Sequence, residues 1–240
     1  MGLSDDLNQA SQYTGSIFQR IGELIILFII SIIPIVSLIA IGYYARIVRD
    51  SPSSKKTPKL ESYTDMFIEG LKIFVVAIIW AIIIIIIAVI IAIPLIILGV
   101  VSAFTSSTNF FSIGWIFALG AYLVIFGVIA FLLGIVAFIG IIHMIKNNSF
   151  GKAFAFREII GVIGKIGWLR YLAFFVIFFV ASAILGIIVS ALSPVGWIIG
   201  ALLSVLLGLF ASRTIGLLYD GAIGFNTPPS SVPPPPPAYT

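Results

Sequence analysis

Catalysis and ligation need groups that move protons, attack electrophiles or hold metals, and this chain offers few of them. It has no cysteine and one histidine among 240 residues. That excludes a thiolate nucleophile, a Cys-based metal centre, a disulfide framework and any multi-histidine metal site. A Ser-His-Asp arrangement would rest on His143 alone. That residue closes an apolar run with no partner near it in sequence, so it reads as an interfacial residue rather than a catalytic one. The carboxylates Asp50, Glu61, Asp65, Glu69, Glu158 and Asp220 have no informative spacing for paired acid–base work. The glycine-bearing stretch Gly161–Gly167 does not follow a strand, so a phosphate loop fails on context. No catalytic, cofactor-binding or metal-binding residue is therefore expected. Arg213 and Asp220, seven residues apart, share a helix face. Arg213 reads first as a snorkelling side chain and second as a contact for an anionic headgroup or a partner.

The elements that carry these residues follow from composition. Hydrophobic residues make up 61% of the chain and charged residues 9%, against about 25% charged in an ordinary soluble domain. Lipid must solvate most of the surface. The fold class expected is all-α, a polytopic membrane protein with five transmembrane helices and two cytoplasmic interfacial amphipathic helices. A helix of about 20 apolar residues crosses a bilayer core. Five stretches qualify, at about 24–45, 73–103, 113–142, 168–192 and 197–218, with Pro34 and Pro94 inside the first two. Six consecutive isoleucines, Ile82–Ile87, lack the alternation of a barrel strand. Residues 1–23 form a short N-terminal segment of amphipathic character, 24–222 the helical membrane domain, and 223–240 a proline-rich tail.

Charge sets the expected topology. Leu24–Ala45, Ile73–Ile142 and Tyr171–Ser212 contain no Asp, Glu, Lys or Arg, so no proton relay or voltage sensor lies in the spans. Basic residues fill the loops after spans one and three, and the loops after spans two and four are uncharged. The positive-inside rule then gives a multi-pass cell-membrane protein with its N-terminus outside and its C-terminus cytoplasmic. The competing arrangement makes Tyr13–Glu23 a cytoplasmic interfacial helix and span one re-entrant around Pro34. Tyr43, Tyr44, Trp115, Trp168 and Trp197 sit at span ends as headgroup anchors, and Trp80 inside span two is a packing residue.

Small residues let helices approach closely in lipid. Ala77, Ala81, Ala88, Ala92 and Gly99 in span two, and Gly120, Gly127 and Gly134 in span three, define one expected seam. Gly200, Gly208 and Gly216 step along span five at multiples of four. That ladder implies a right-handed crossing or contact with more than one neighbour, and spans four and five are expected to pair. Two loop segments are amphipathic. Leu60, Tyr63, Phe67, Leu71 and Phe74 form one stripe, and Phe156, Ile159, Ile160, Ile163 and Ile166 another. The acidic face of the first and the basic face of the second suggest a salt-bridged layer under the bundle. The basic stretch Arg46–Lys59 is a candidate contact for anionic headgroups of membrane lipid. The tail, ending Pro236-Pro237-Ala238-Tyr239-Thr240, reads as an extended polyproline segment.

Gly42-Tyr43-x-x-Arg46-x-x-Arg49-Asp50, Phe67-x-x-Gly70-Leu71, Ala153-Phe154-x-Phe156-Arg157-Glu158-Ile159, Tyr171 and Gly216-x-Leu218-Tyr219 occur in that order. The series resembles the multi-pass membrane family called domain of unknown function 4013, over roughly residues 15–222. The resemblance implies an archaeal cell-membrane protein without an assigned activity, and it carries no catalytic residue. Its matching positions, with the charges beside them, make Tyr43, Arg46, Arg49, Asp50, Phe67, Arg157, Glu158, Arg213, Tyr219 and Asp220 the candidate contacts of the cytoplasmic face. The function expected is that of a non-enzymatic scaffold or accessory subunit with an unidentified protein partner and no nucleic acid. A permease or channel for a small or lipidic solute is the alternative, and an interfacial lipid-modifying enzyme a more distant one.

Overall fold

The computed structural model describes residues 2–105, 113–192 and 195–224. The chain forms helices α1 (Leu3–Gly15), α2 (Ile21–Ile32), α3 (Ser37–Asp50), α4 (Tyr63–Thr105), α5 (Ile113–Asn147), α6 (Phe156–Ile166), α7 (Trp168–Ala191) and α8 (Gly196–Ile223). Short 3-10 turns, Ser16–Arg20 and Phe150–Phe154, lead into α2 and α6. There is no strand among the described residues, as the apolar, non-alternating runs require. The proline-rich tail and the loop between α4 and α5 lie outside the described residues.

Five stretches are long and apolar enough to cross a membrane: Leu3–Ile32, Tyr63–Val100, Ile116–Asn147, Trp168–Ala191 and Gly196–Ile223. Their outward faces carry large apolar side chains with no protein cover, such as Ile85, Ile90, Val124, Phe179 and Ile187. In water such a belt would be untenable, and in lipid it is the solvated surface.

The first stretch differs from the expected continuous span 24–45. The helix stops at Ile32 and restarts at Ser37. Proline lacks an N–H and disfavours helical backbone in the residue before it. Ile33 is accordingly extended, at φ −89° and ψ 116°. In α4 the helix continues through Pro94. Around Pro34 the chain reverses, and α2 and α3 pack as a hairpin through Leu24, Leu27, Ile30, Ala40, Tyr43 and Ile47.

Both open ends of this hairpin lie at one end of the bundle. Before α2, Arg20 donates to the Thr57 carbonyl at 3.2 Å. After α3, the Ser51 carbonyl accepts from Lys146 at the end of α5, at 2.7 Å. At the same end α1 lies across the start of α7 and the last turns of α8. Asp6 pairs with Arg170 at 3.2 Å, and Arg213 sits over the Tyr13 ring at 4.6 Å. The described N-terminal residues and the end of α8 therefore share a side. Within the bundle these contacts match the arrangement in which the chain turns back around Pro34. At 1.5 Å per residue α2 alone is about 18 Å long, and it reaches the length of a span only together with α1 and the turn between them, as Leu3–Ile32.

The tightest helix contact is between α3 and α4. A Cβ at Gly42 would overlap the Met66 carbonyl, and one at Gly70 the Leu38 carbonyl. These glycines, noted only as motif positions, let two backbones touch. On α5, Gly120 and Gly127 are exposed and have open space beside them, and Gly134 is half-buried with open space as well. Of the alanines proposed for the α4 seam, Ala77 and Ala81 are exposed and Ala88 faces α5, its carbonyl accepting from Tyr122 at 3.3 Å. Helices α4 and α5 do pack together, yet not through a glycine seam. On α8 the ladder serves three neighbours. Gly200 abuts Val189 of α7, Gly208 the Tyr44 ring of α3, and Gly216 Ser51 just beyond α3. It is the contact with more than one neighbour that its four-residue step allows.

Leu60–Phe74 is not a separate interfacial helix, because its residues from Tyr63 on form the first turns of α4. They bury Met66 and Gly70, and Tyr63, Leu71 and Phe74 are exposed. The need to seat Gly70 on α3 sets the rotation. Helix α6 follows its stripe in part, burying Ile159, Ile163 and Ile166 while Phe156 and Ile160 are exposed, and ends at Gly167, whose φ of 93° suits glycine. Trp80 is buried between Phe154 and Phe156, with ring centroids 6.0 and 5.3 Å away. Trp168 and Trp197 are exposed at helix starts.

Candidate functional site

The end of the bundle where these elements meet is a polar layer. Its deepest pair is Lys146 of α5 with Asp220 of α8, at 2.7 Å, with side chains 9% and 2% exposed. Lys146 also donates to the Ser51 carbonyl. One ammonium thus joins three parts of the chain that are remote in sequence. A turn earlier on the same face of α5, His143 is buried between Tyr219 and Glu158. The Tyr219 hydroxyl lies 2.5 Å from His143 Nδ1, and Glu158 Oε2 lies 3.0 Å from Nε2. A carboxylate can only accept, so Nε2 carries the proton and Nδ1 accepts from Tyr219. Asn147 supports this tautomer, its amide nitrogen being 3.2 Å from Nδ1 and donating to the His143 carbonyl at 2.8 Å.

Glu158 is held from its other side by Lys152, at 2.7 Å to each carboxylate oxygen. The Lys152 hydrogen bonds, with that from His143, keep its carboxyl below the usual range of a glutamate. Burial raises the Asp50 carboxyl against the opposing pull of Arg46 and Arg49. Arg49 pairs with Glu69 of α4, Arg46 donates to the Glu61 carbonyl at 3.0 Å, and the Tyr43 hydroxyl donates to the Pro58 carbonyl at 2.9 Å. A cavity of about 100 Å³ lies between α3, α4 and the end of α5, lined by Arg49, Glu69, Lys72 and Asn148.

Most of the expected contact residues meet here, in roles that differ from those expected. Tyr43 is fully buried rather than a headgroup anchor, because its ring fills the α2–α3 hairpin and its hydroxyl closes the following loop. Phe67 is half-buried. Arg157 is exposed, while Glu158 turns to His143. Arg213 is 4% exposed, donating to the Pro52 carbonyl at 3.2 Å beneath Tyr13. It does not snorkel, since α1 and the 51–62 segment cover it. Tyr219 and Asp220 are buried in the network. No ion pair links the two amphipathic segments among the described residues: Glu69 takes Arg49 and Glu158 takes Lys152 instead, each from a neighbouring element. His143 was taken for an interfacial residue and is buried because two partners arrive from α6 and α8. Lys146 was missed as a site residue. Its signal was present, since His143, Lys146 and Asn147 fall at i, i+3 and i+4 on one helix face.

No group of three or more His, Cys, Asp or Glu residues that could hold a metal occurs among the described residues.

This geometry defines a class: a helical, multi-pass membrane protein whose ionisable side chains converge at one end. The chain belongs to the family described as protein of unknown function, DUF4013, whose model matches residues 25–194. The match covers α2 to α7 and so includes His143, Lys146 and Glu158, while Tyr219 and Asp220 lie beyond it. No curated protein and no solved structure matches the chain.

Proposed function

We propose that this integral membrane protein is a non-enzymatic scaffold or accessory subunit of the cell membrane, with its polar end in the cytoplasm. The orientation rests on charge: Arg46–Lys72 and Lys146–Arg170 contain eleven of the thirteen basic residues and both adjoin this end. The observation that carries the role is that Lys146 and His143, the buried groups at the centre of the layer, are matched by protein partners. Lys146 is spent on Asp220 and Ser51, and His143 on Tyr219 and Glu158. They fix the shape of a surface and are committed before any substrate arrives. Among the exposed charges, Arg157 and Lys165 lie together on α6 and offer a docking face.

The test is affinity purification of the full chain from its native membrane in mild detergent, comparing the wild type with R157E/K165E. A stoichiometric protein partner that the variant loses supports the scaffold reading. A chain that purifies alone and moves a solute across reconstituted vesicles replaces that reading with the permease.

A further inference from the structure

Arg213 is buried and incompletely bonded. One of its nitrogens donates to the Pro52 carbonyl, and its Nε and Nη1 have no protein partner. The Tyr13 ring lies beneath it, with the hydroxyl buried close to Ser54. Leaving charged donors unmatched is costly unless something else accepts from them. Both residues line a cleft of about 540 Å³ between α1 and the 51–62 segment, together with Gln12, Gln19, Lys55 and Lys56. The two lysine side chains are exposed and, unlike those of Arg46, Arg49 and Lys59 nearby, enter no ion pair or hydrogen bond among the described residues. Asp220 hydrogen-bonds Lys146 and Asp50 lies among Arg46, Arg49 and Lys146; both also attract Arg213 through space, without bonding its Nε or Nη1. Three cations and a phenol therefore converge on one space.

A second space begins where this one ends. An apolar groove of about 640 Å³ runs between α1, α7 and α8, walled by Phe18, Ile184, Leu185, Leu203, Leu207 and Phe210. Gly15 lines both spaces, and nothing lies within 4 Å of where its Cβ would be. The passage between the cationic cleft and the groove is open there.

We infer that this pair of spaces binds one anionic phospholipid, with its phosphate on Arg213, Lys55 and Lys56 and an acyl chain in the groove. Guanidinium and ammonium groups are the usual partners of phosphate, and the apolar continuation selects a lipid over a small phosphate ion. The site narrows the wider Arg46–Lys59 headgroup contact to two lysines and adds a residue from α8. It does not depend on the scaffold reading, and loss of a protein partner would leave it standing.

Native mass spectrometry of the full chain in neutral detergent tests it, with phosphatidylglycerol, phosphatidylcholine and inorganic phosphate as separate probes. The wild type is expected to prefer phosphatidylglycerol. K55Q/K56Q, which alters two exposed side chains, should weaken phosphatidylglycerol roughly 25-fold, about fivefold per lysine, without changing the melting temperature or phosphatidylcholine binding. R213Q should remove the preference where the variant folds. A181W, filling the groove, should weaken both lipids and spare phosphate. Equal affinity of the wild type for the two lipids, or unchanged phosphatidylglycerol binding in K55Q/K56Q, overturns the inference. Phosphate binding that K55Q/K56Q abolishes, with lipid binding untouched by A181W, assigns the cleft to free phosphate and overturns the lipid.

Discussion

Lys146 and Asp220 show how a chain with few charges uses them. Each is desolvated, and each is tolerated because the other is in contact. Removing one partner of a buried pair strands the other, at a cost of about 3–5 kcal/mol, whereas replacing both with apolar residues is often neutral. K146M and D220L should each lower the melting temperature in detergent strongly, and K146M/D220L should recover most of the loss. Additive losses in the double variant would show that the two do not interact. Glu158 gives a pH signature. Its folded carboxyl is held below the ordinary value of 4.5, so the stability it supplies is present above that pH and lost as pH falls through the lower folded value. The stability difference between the wild type and E158Q should therefore close as the pH drops below 4.5, read from melting curves. A constant difference would mean that the Lys152 and His143 contacts contribute nothing to the folded state. At this scale the sequence was informative about which residues are scarce and silent about which pair. The partners of His143 are 15 and 76 positions away, and helix periodicity carries no signal over that distance.

Among the helices, two substitutes for hydrophobic driving force hold the bundle: glycine contacts and polar ties. The period of the apolar runs located α5, α7, α8 and the amphipathic α6 from sequence, because lipid imposes a length and α6 a face. The rotation of α4 was not legible. It depends on Gly42 meeting the Met66 backbone and Gly70 meeting Leu38, and small residues occur on several faces of every span. The same lack of contrast made Gly120 and Gly127 look like a seam. The difference is measurable. G42L forces two backbones apart and should cost at least the 1–3 kcal/mol typical of overpacking. G127L projects into open space at a lipid-facing position and should leave the melting temperature within a degree or two. Equal destabilisation by both would place a neighbour, such as a second copy, against that face of α5.

For the whole molecule the decisive feature is that its charge is gathered at one end. The positive-inside count found this asymmetry, because both basic loops join helices at that end. It treats 24–45 as one continuous span, whereas the helix breaks around Pro34, and residues 1–23 hold three of the nine acidic residues: Asp5, Asp6 and Glu23. Asp6 meets Arg170, and Glu23 lies 3.5 Å from Arg20 beside the Thr57 carbonyl. These polar anchors hold both ends of the α2–α3 hairpin in one layer, and we propose that its Pro34 turn dips into lipid and returns. A chain without cysteine permits a direct check. Single cysteines at Ser4 and Asn148 should react with a membrane-impermeant maleimide from one face, and one at Val195, where α7 has given way to α8, from the other. A cysteine at Ile35, beside the turn, should resist the reagent from both faces until detergent is added. Were Ser4 and Asn148 to label from opposite faces, α2 and α3 would have to cross as one span. The contacts of Arg20 and Ser51 at a common end could not then hold in the membrane.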